Sequence, residues 1–288
     1  MSCTVEMIPK LAWPRVAIDR MAELVILSSL VTALWAGATL AQPTPATTDY
    51  ENEWFAIGHS VQGRPIQAFR LGSGERRLAL LGGIHGGWER NTYQLVSTAI
   101  EHFQLNPGEI PGNMSVFFIP GLNPDGLAAG NDRDAAWNAR GVDLNRNFDT
   151  PNWSTDAAGR AGGRYGPSGR RPGAGGAAPF SEPESSALRD FVRTSGITAA
   201  LSYHSGIVSV TARDGGGLGT PLARRVAIIT GYPYLETWTE YELTGQLMDW
   251  LDAVGVRGVE IDLPDQQTLD WGQNLAAIRD VITVLAAE

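Results

Sequence analysis

The stretch Leu78–Thr92, LALLGGIHGGWERNT, decides the fold. Its first four residues are uninterruptedly apolar, which predicts a strand buried on both faces and running to Gly83. His85 follows, then a second glycine pair, and a helix is predicted from Glu89 to Phe103. Strand, glycine-rich turn and helix make the start of a βα unit. In open α/β sheets, ligands bind at the carboxyl ends of the strands, where His85 and Glu89 stand.

Upstream, Arg64–Leu71 is predicted as a strand, joined to Leu78–Gly83 through a GSGE turn. Downstream, Met114–Pro120 (MSVFFIP), Thr198–Tyr203, Ile207–Ala212 and Val256–Leu263 are strands. Glu182–Arg193, Leu218–Thr230, Gly245–Val254 and Leu269–Ala287 are helices, the first with Ser181 as its N-cap and Pro183 in its first turn. Strands and helices alternating in this way give an α/β domain. Residues 121–180 carry little periodicity, and AAGRAGGRYGPSGRRPGAGGAA (157–178) is close to low complexity, so part of it is expected to lack order.

Residues 24–41, LVILSSLVTALWAGATLA, are apolar, follow Lys10, Arg15 and Arg20, and end in Thr39-Leu40-Ala41. That is the pattern of a signal peptide, with an uncleaved single-span anchor as the rival. The expected organisation is a leader over 1–41, a linker over 42–54 and one catalytic domain over 55–288, secreted or periplasmic and monomeric. Cleavage leaves no stable membrane association. A formal net charge of −9 argues against nucleic-acid binding and a polybasic membrane patch. Cys3 and Lys10, the only cysteine and lysine, both lie in the leader. A disulfide, a thiolate nucleophile and a lysine Schiff base are thereby excluded from the mature chain. No G-x-S-x-G elbow suggests a serine hydrolase.

The four histidines separate readily. His102 is expected on a helix surface and His59 in a turn. His85 and His204 each follow the carboxyl end of a buried-type strand. Two imidazoles and the carboxylate of Glu89 form the ligand set of a catalytic zinc that keeps a position open. The alternative is that both are satisfied core or loop groups.

The segment Asn123–Phe148, NPDGLAAGNDRDAAWNARGVDLNRNF, closely resembles a motif of the zinc carboxypeptidases. GGIHGGWE (82–89), PFSEPES (179–185), LSYHSG (201–206) and YELTGQLMDWLDAVGVRGVEIDL (241–263) occur in that family's order. The resemblance implies a mixed parallel and antiparallel central sheet with helices on both faces. It implies one zinc per chain held by His85, Glu89 and His204, with three residues between His85 and Glu89 where two are commoner. Asn145 and Arg146 would grip the substrate's terminal carboxylate, and Tyr241 would close over bound peptide. Met248 would form the floor of the terminal side-chain pocket and favour apolar residues. Arg133, ahead of Arg140, would polarise the scissile carbonyl, because the usual arginine position holds Ala136. The family's catalytic glutamate aligns with Asp262, one methylene shorter. Glu260 lies two residues earlier on the same strand face. Asp262 as base, Glu260 as base and a weakened site are all open. The expected activity is hydrolysis of a peptide bond near a free C-terminal carboxylate. A cell-wall peptide amidase, an N-acyl amino acid amidohydrolase and an inactive peptide-binding relative are the alternatives.

Overall fold

Apolar side chains on both faces of the central strands require helical cover on both sides, and that is the architecture found. A computed structural model describes residues 52–159 and 165–288. The expected leader (1–41) lies outside the described residues. The strands are β1 (Glu53–His59), β2 (Pro65–Leu71), β3 (Arg76–Leu81), β4 (Met114–Ile119), β5 (Ala157–Ala158), β6 (Arg170–Arg171), β7 (Ala199–Ser205), β8 (Ser209–Thr211) and β9 (Arg257–Leu263). The helices are α1 (Arg90–Leu105), α2 (Pro124–Ala129), α3 (Pro183–Ser195), α4 (Thr220–Thr230), α5 (Leu247–Ala253) and α6 (Trp271–Ala287).

Seven strands form one sheet in the order β1-β2-β4-β3-β7-β9-β8, and β5 pairs with β6 alone. The inner strands β4, β3, β7 and β9 are parallel; β2 and β8 run against them on either side, and β1 runs against β2 at one edge. The mixed sheet expected from the sequence is therefore present. Period-two alternation sorts the core. Leu78 and Leu80 of β3 join Leu201 and Tyr203 of β7 and Val259 and Ile261 of β9 in one cluster with α1, α4 and α6. Ala79, Leu81 and Ala200 face the other way, towards α3 and α5. Strand alternation then places His204, Glu260 and Asp262 on this second face. The register sets His204 beside Asp262 and Ser202 beside Glu260.

Two expectations need correction, and a third meets the structure only at its described residues. β1 starts inside the stretch expected to be linker: Glu53 and Trp54 pair with Arg70 and Phe69. The N-cap of α3 is Glu182 rather than Ser181, whose hydroxyl instead bonds the Glu182 side chain. The described part of the glycine-rich stretch is ordered by contacts that composition does not reveal. β5 and β6 form a two-residue ladder, the Tyr165 ring packs at 5.5 Å from that of Trp137, and Gly175 donates to the Thr155 carbonyl.

Candidate active site

Three adjacent parallel strands deliver the chemistry at their carboxyl ends. β3 leads into His85 and a tight helical turn, Gly86–Glu89, before α1. Gly86 has φ +45°, and a Cβ there would lie 2.1 Å from the Ala135 carbonyl oxygen. A Cβ on Gly87 would lie 1.5 Å from the Gly130 carbonyl oxygen. Only glycine fits at these two positions, and the compressed turn carries the extra residue between His85 and Glu89. β7 carries His204 one residue before its end, and β9 carries Asp262 next to it.

His85 Nδ1 lies 2.8 Å from Glu89 Oε1, and His204 Nδ1 lies 3.3 Å from Glu89 Oε2. The two Nδ1 atoms are 3.2 Å apart. One ligand atom from each residue falls within 4.8 Å of the others, the only such group of metal-binding type among the described residues. Glu89 Oε2 is buried and lacks a hydrogen-bond partner. Burial alone would lower both imidazoles. The charges of Glu89 and Asp143 nevertheless hold His85 well above its ordinary value, and those of Glu260 and Glu89 raise His204. Burial alone would raise Glu89, yet its two histidine neighbours bring it down to about 2. Two protonated imidazoles this close repel one another. A dication replacing both protons removes the repulsion and satisfies the orphaned oxygen, so the residues present fit a zinc ion.

Asp143 completes the arrangement, and no sequence signal singled it out. Its Oδ1 lies 3.1 Å from His85 Nε2 and also accepts from the Asn145 amide, while Tyr165 donates its hydroxyl to Oδ2. A carboxylate on the far nitrogen fixes the imidazole so that Nδ1 faces the metal position. Asp143→Ala is expected to weaken zinc affinity about 10- to 100-fold, measured against a competing chelator.

Asn145 and Arg146 are both buried beside this group. The Arg146 guanidinium donates from Nε to the Ala158 carbonyl at 3.1 Å and from Nη1 to the Asn145 carbonyl at 2.7 Å. Nη2 has no acceptor among the described residues, so a fixed guanidinium keeps donor capacity for a ligand. The Tyr241 ring centre lies 6.0 Å from the guanidinium carbon. His85, Glu89, His204, Asn145, Arg146, Tyr241, Glu260 and Asp262 line one cavity. Arg133 lines the adjoining one, its guanidinium 5.3 Å from the Trp88 ring. Arg140 turns away, 3.6 Å from Glu182. His102, expected on a helix surface, is half-buried, bonding Glu109 and packing against the Trp271 ring.

Asp262 and Glu260 separate in depth. Asp262 stands level with His204 and accepts at Oδ1 from the Ile207 amide at 2.9 Å, leaving Oδ2 unengaged among the described residues. Burial, followed by the charge of Glu89, pushes its carboxyl up to about 7. Glu260 is two residues back along β9, roughly 6.6 Å deeper by strand rise. Met248 is fully buried, lines neither of these cavities and is corrected as the floor. It packs on Gly258, where a Cβ would come within 2.8 Å of its sulfur. Gly258 is one same-face position below Glu260, so Glu260 rather than Met248 meets the cavity.

A paired-histidine, single-carboxylate metal position with a second carboxylate beside it and an anchored arginine fits a metal-dependent hydrolase. The family model for zinc carboxypeptidases (Peptidase_M14) matches residues 46–212, more than half of the chain. The chain belongs to the zinc carboxypeptidase family. The match includes His85, Glu89, Asn145, Arg146 and His204 but ends before Tyr241, Glu260 and Asp262.

Bovine thrombin-activatable fibrinolysis inhibitor, solved with a tick carboxypeptidase inhibitor, superposes with a TM-score of 0.68 at 20% identity, over 82% of this chain and 90% of that one. Murein-tripeptide amidase MpaA from Escherichia coli O157 gives 0.59 at 24%, over 80% and 91%. Carboxypeptidase A from Helicoverpa armigera gives 0.66 at 20%, over 83% and 69%. These likenesses establish the fold. Among curated proteins, bacteriocin BCN5 of Clostridium perfringens is 27% identical over 238 residues, 77% of this chain and 24% of the bacteriocin. The chain thus spans about a quarter of the length of that relative.

Proposed function

We propose that this chain is a zinc metallocarboxypeptidase that hydrolyses the amide bond next to a free C-terminal carboxylate. The observation that carries the reading is the convergence of the metal ligands, Asp262 and the Asn145–Arg146 pair on one cavity. Zinc held by His85, Glu89 and His204 would supply Lewis acidity towards water and the scissile carbonyl. The residues of the chain do the rest. Arg146 and Asn145 bind the terminal carboxylate and so position the bond to be cut. Asp262 takes a proton from the attacking water and returns it to the leaving amine nitrogen as the C–N bond breaks. Arg133, at the adjoining cavity, is the cation available to the developing negative charge on the carbonyl oxygen.

The apolar run over residues 24–41, within the leader expected over 1–41, supports export as part of the same proposal. A cell-wall peptide is the second substrate class, favoured by the likeness to the murein-tripeptide amidase. The test is hydrolysis of a blocked dipeptide with a free C-terminal carboxylate beside its C-terminal amide. The free acid is expected to turn over at least a hundredfold faster. Equal rates would refute the terminal-carboxylate reading. Cleavage of a murein peptide alone would move the chain to the second class.

A further inference from the structure

The cavity that Arg133 lines has a volume of about 400 Å³ and includes His85 and Glu89. A further cavity of about 460 Å³ lies over Gly87, Asn91, Asn131 and Gln267. Both fall in the roughly 300–1,000 Å³ range of ligand pockets. Trp88 and Gln266 line both, so these two side chains stand where the cavities meet. Gln266 lies beyond the last segment that carries the family resemblance, which ends at Leu263, and beyond the matched residues 46–212.

The loop that carries Gln266 is held from two sides. Asp265 Oδ1 accepts from the Gln267 amide, the Thr268 amide and the Thr268 hydroxyl, each at 2.7 Å. From the first turn of α1, Asn91 Nδ2 donates to the Asp265 and Thr268 carbonyls at 2.7 and 2.9 Å. The half-buried Gln266 side chain reaches the end of β7, where Nε2 donates to the Ser205 carbonyl at 3.3 Å. Gly206 makes room for it: φ is +121°, and a Cβ there would come within 2.6 Å of Nε2. A carbonyl oxygen only accepts, so this bond fixes which way round the carboxamide sits. Oε1 and the second N–H of Nε2 are left over. No described residue engages either, and Oε1 is not among the buried unsatisfied atoms.

One acceptor and one donor on a fixed planar amide match the N–H and C=O of a single residue in an extended peptide, which point to the same side. We infer that Gln266 is a further substrate-binding residue. It takes the peptide backbone upstream of the bond to be cut, accepting an N–H at Oε1 and donating from Nε2 to the C=O of the same residue. The ligand class is a peptide with backbone amides upstream of the scissile bond, held by its main chain rather than its side chains. The inference deepens the carboxypeptidase reading and rests on it for the direction of the bound chain, with the free carboxylate at Arg146. The competing role is structural: Gln266 only closes the β7–β8 turn through Ser205 and touches no substrate.

The experiment uses the full zinc-loaded chain and blocked tripeptides with a free C-terminal carboxylate. In two of them an ester oxygen replaces an upstream amide N–H, at either the first or the second amide before the scissile bond. Each peptide is also made with the scissile amide reduced to a methyleneamine, so that calorimetry reads binding without turnover. A net hydrogen bond is worth about two- to tenfold in affinity. One of the two esters is expected to bind about fivefold more weakly than the all-amide peptide. That loss falls below about twofold in Gln266→Leu, which keeps neither donor nor acceptor, and in Gly206→Ala, whose methyl displaces the carboxamide. A structural role would weaken amide and ester alike and leave their ratio unchanged. Equal binding of the esters and the all-amide peptide by the unaltered chain overturns the inference. So does a ratio that survives Gln266→Leu. Hydrolysis of the cleavable set is run in parallel. A Gln266-dependent amide preference without turnover upholds the residue and rejects the carboxypeptidase reading. Turnover without the preference rejects the residue and leaves the carboxypeptidase reading standing.

Discussion

Asp262→Asn lowers kcat/KM by two to four orders of magnitude while one zinc per chain is retained. General acid–base catalysis contributes about 10²- to 10⁴-fold, and the amide has no proton-accepting oxygen of useful basicity. Glu260→Gln also removes a carboxylate, but one lying two residues deeper and engaged by Asn145 and Gln246. A much smaller loss of kcat/KM is expected there. The pH profile carries the same assignment. Asp262 is the base only when ionised, so kcat/KM falls as pH drops through its pKa. Burial, then Glu89, set that value at about 7 in the metal-free site, and bound zinc moves the acid limb lower. The linkage sign follows. The folded value lies above the ordinary 3.8, so the buried carboxylate destabilises the fold increasingly as pH rises from about 4 to 7. Metal-free Asp262→Asn therefore melts higher than the unaltered chain at pH 8, an advantage that vanishes at pH 4. A base lost for stability gained is the trade expected of a catalytic group. Equal melting temperatures at pH 8 would contradict the cost of burying the ionised Asp262.

Arg146→Ala is the second large effect. Truncating one partner of a buried, hydrogen-bonded charge pair costs about 2–5 kcal/mol, or roughly thirty- to several-thousandfold in kcat/KM on free-acid peptides. The guanidinium is already held by the Ala158 and Asn145 carbonyls, so little ordering remains to be done when a carboxylate arrives. Arg146→Lys is expected to recover only a small part, because an ammonium lacks the planar fork. The diagnostic readout is the ratio of free-acid to amide hydrolysis, which should collapse in Arg146→Ala. An unchanged ratio would mean that the arginine is structural.

Much of this was legible in the sequence because local signals and tertiary placement agree. The run before Gly82 is apolar because β3 is covered on both faces. His85 and His204 stand out because each follows such a strand, and Asn145 and Arg146 because their neighbourhood resembles the family motif. Where depth or a distant partner decides, the sequence is silent. Glu260 and Asp262 share a face by period two, but only the pairing of β9 with β7 and β8 sets one at the metal and the other at the pocket wall. Met248 lies close to the cavity in sequence, yet the absent side chain of Gly258 draws it into the core. Tyr165 sits in a stretch that reads as low complexity, and its bond to Asp143 depends on a loop returning to the site. β1 escaped notice because Glu53 and Trp54 continue directly from a polar, proline-containing segment.

The central claim is the metal site, and zinc stoichiometry tests it most directly. The full chain is stripped with a chelator, titrated with zinc, and its bound metal is counted by atomic absorption beside His204→Ala. The account predicts one equivalent bound by the unaltered chain, and affinity reduced by orders of magnitude in the variant. A chain that binds no zinc, or binds it equally well without His204, would contradict it.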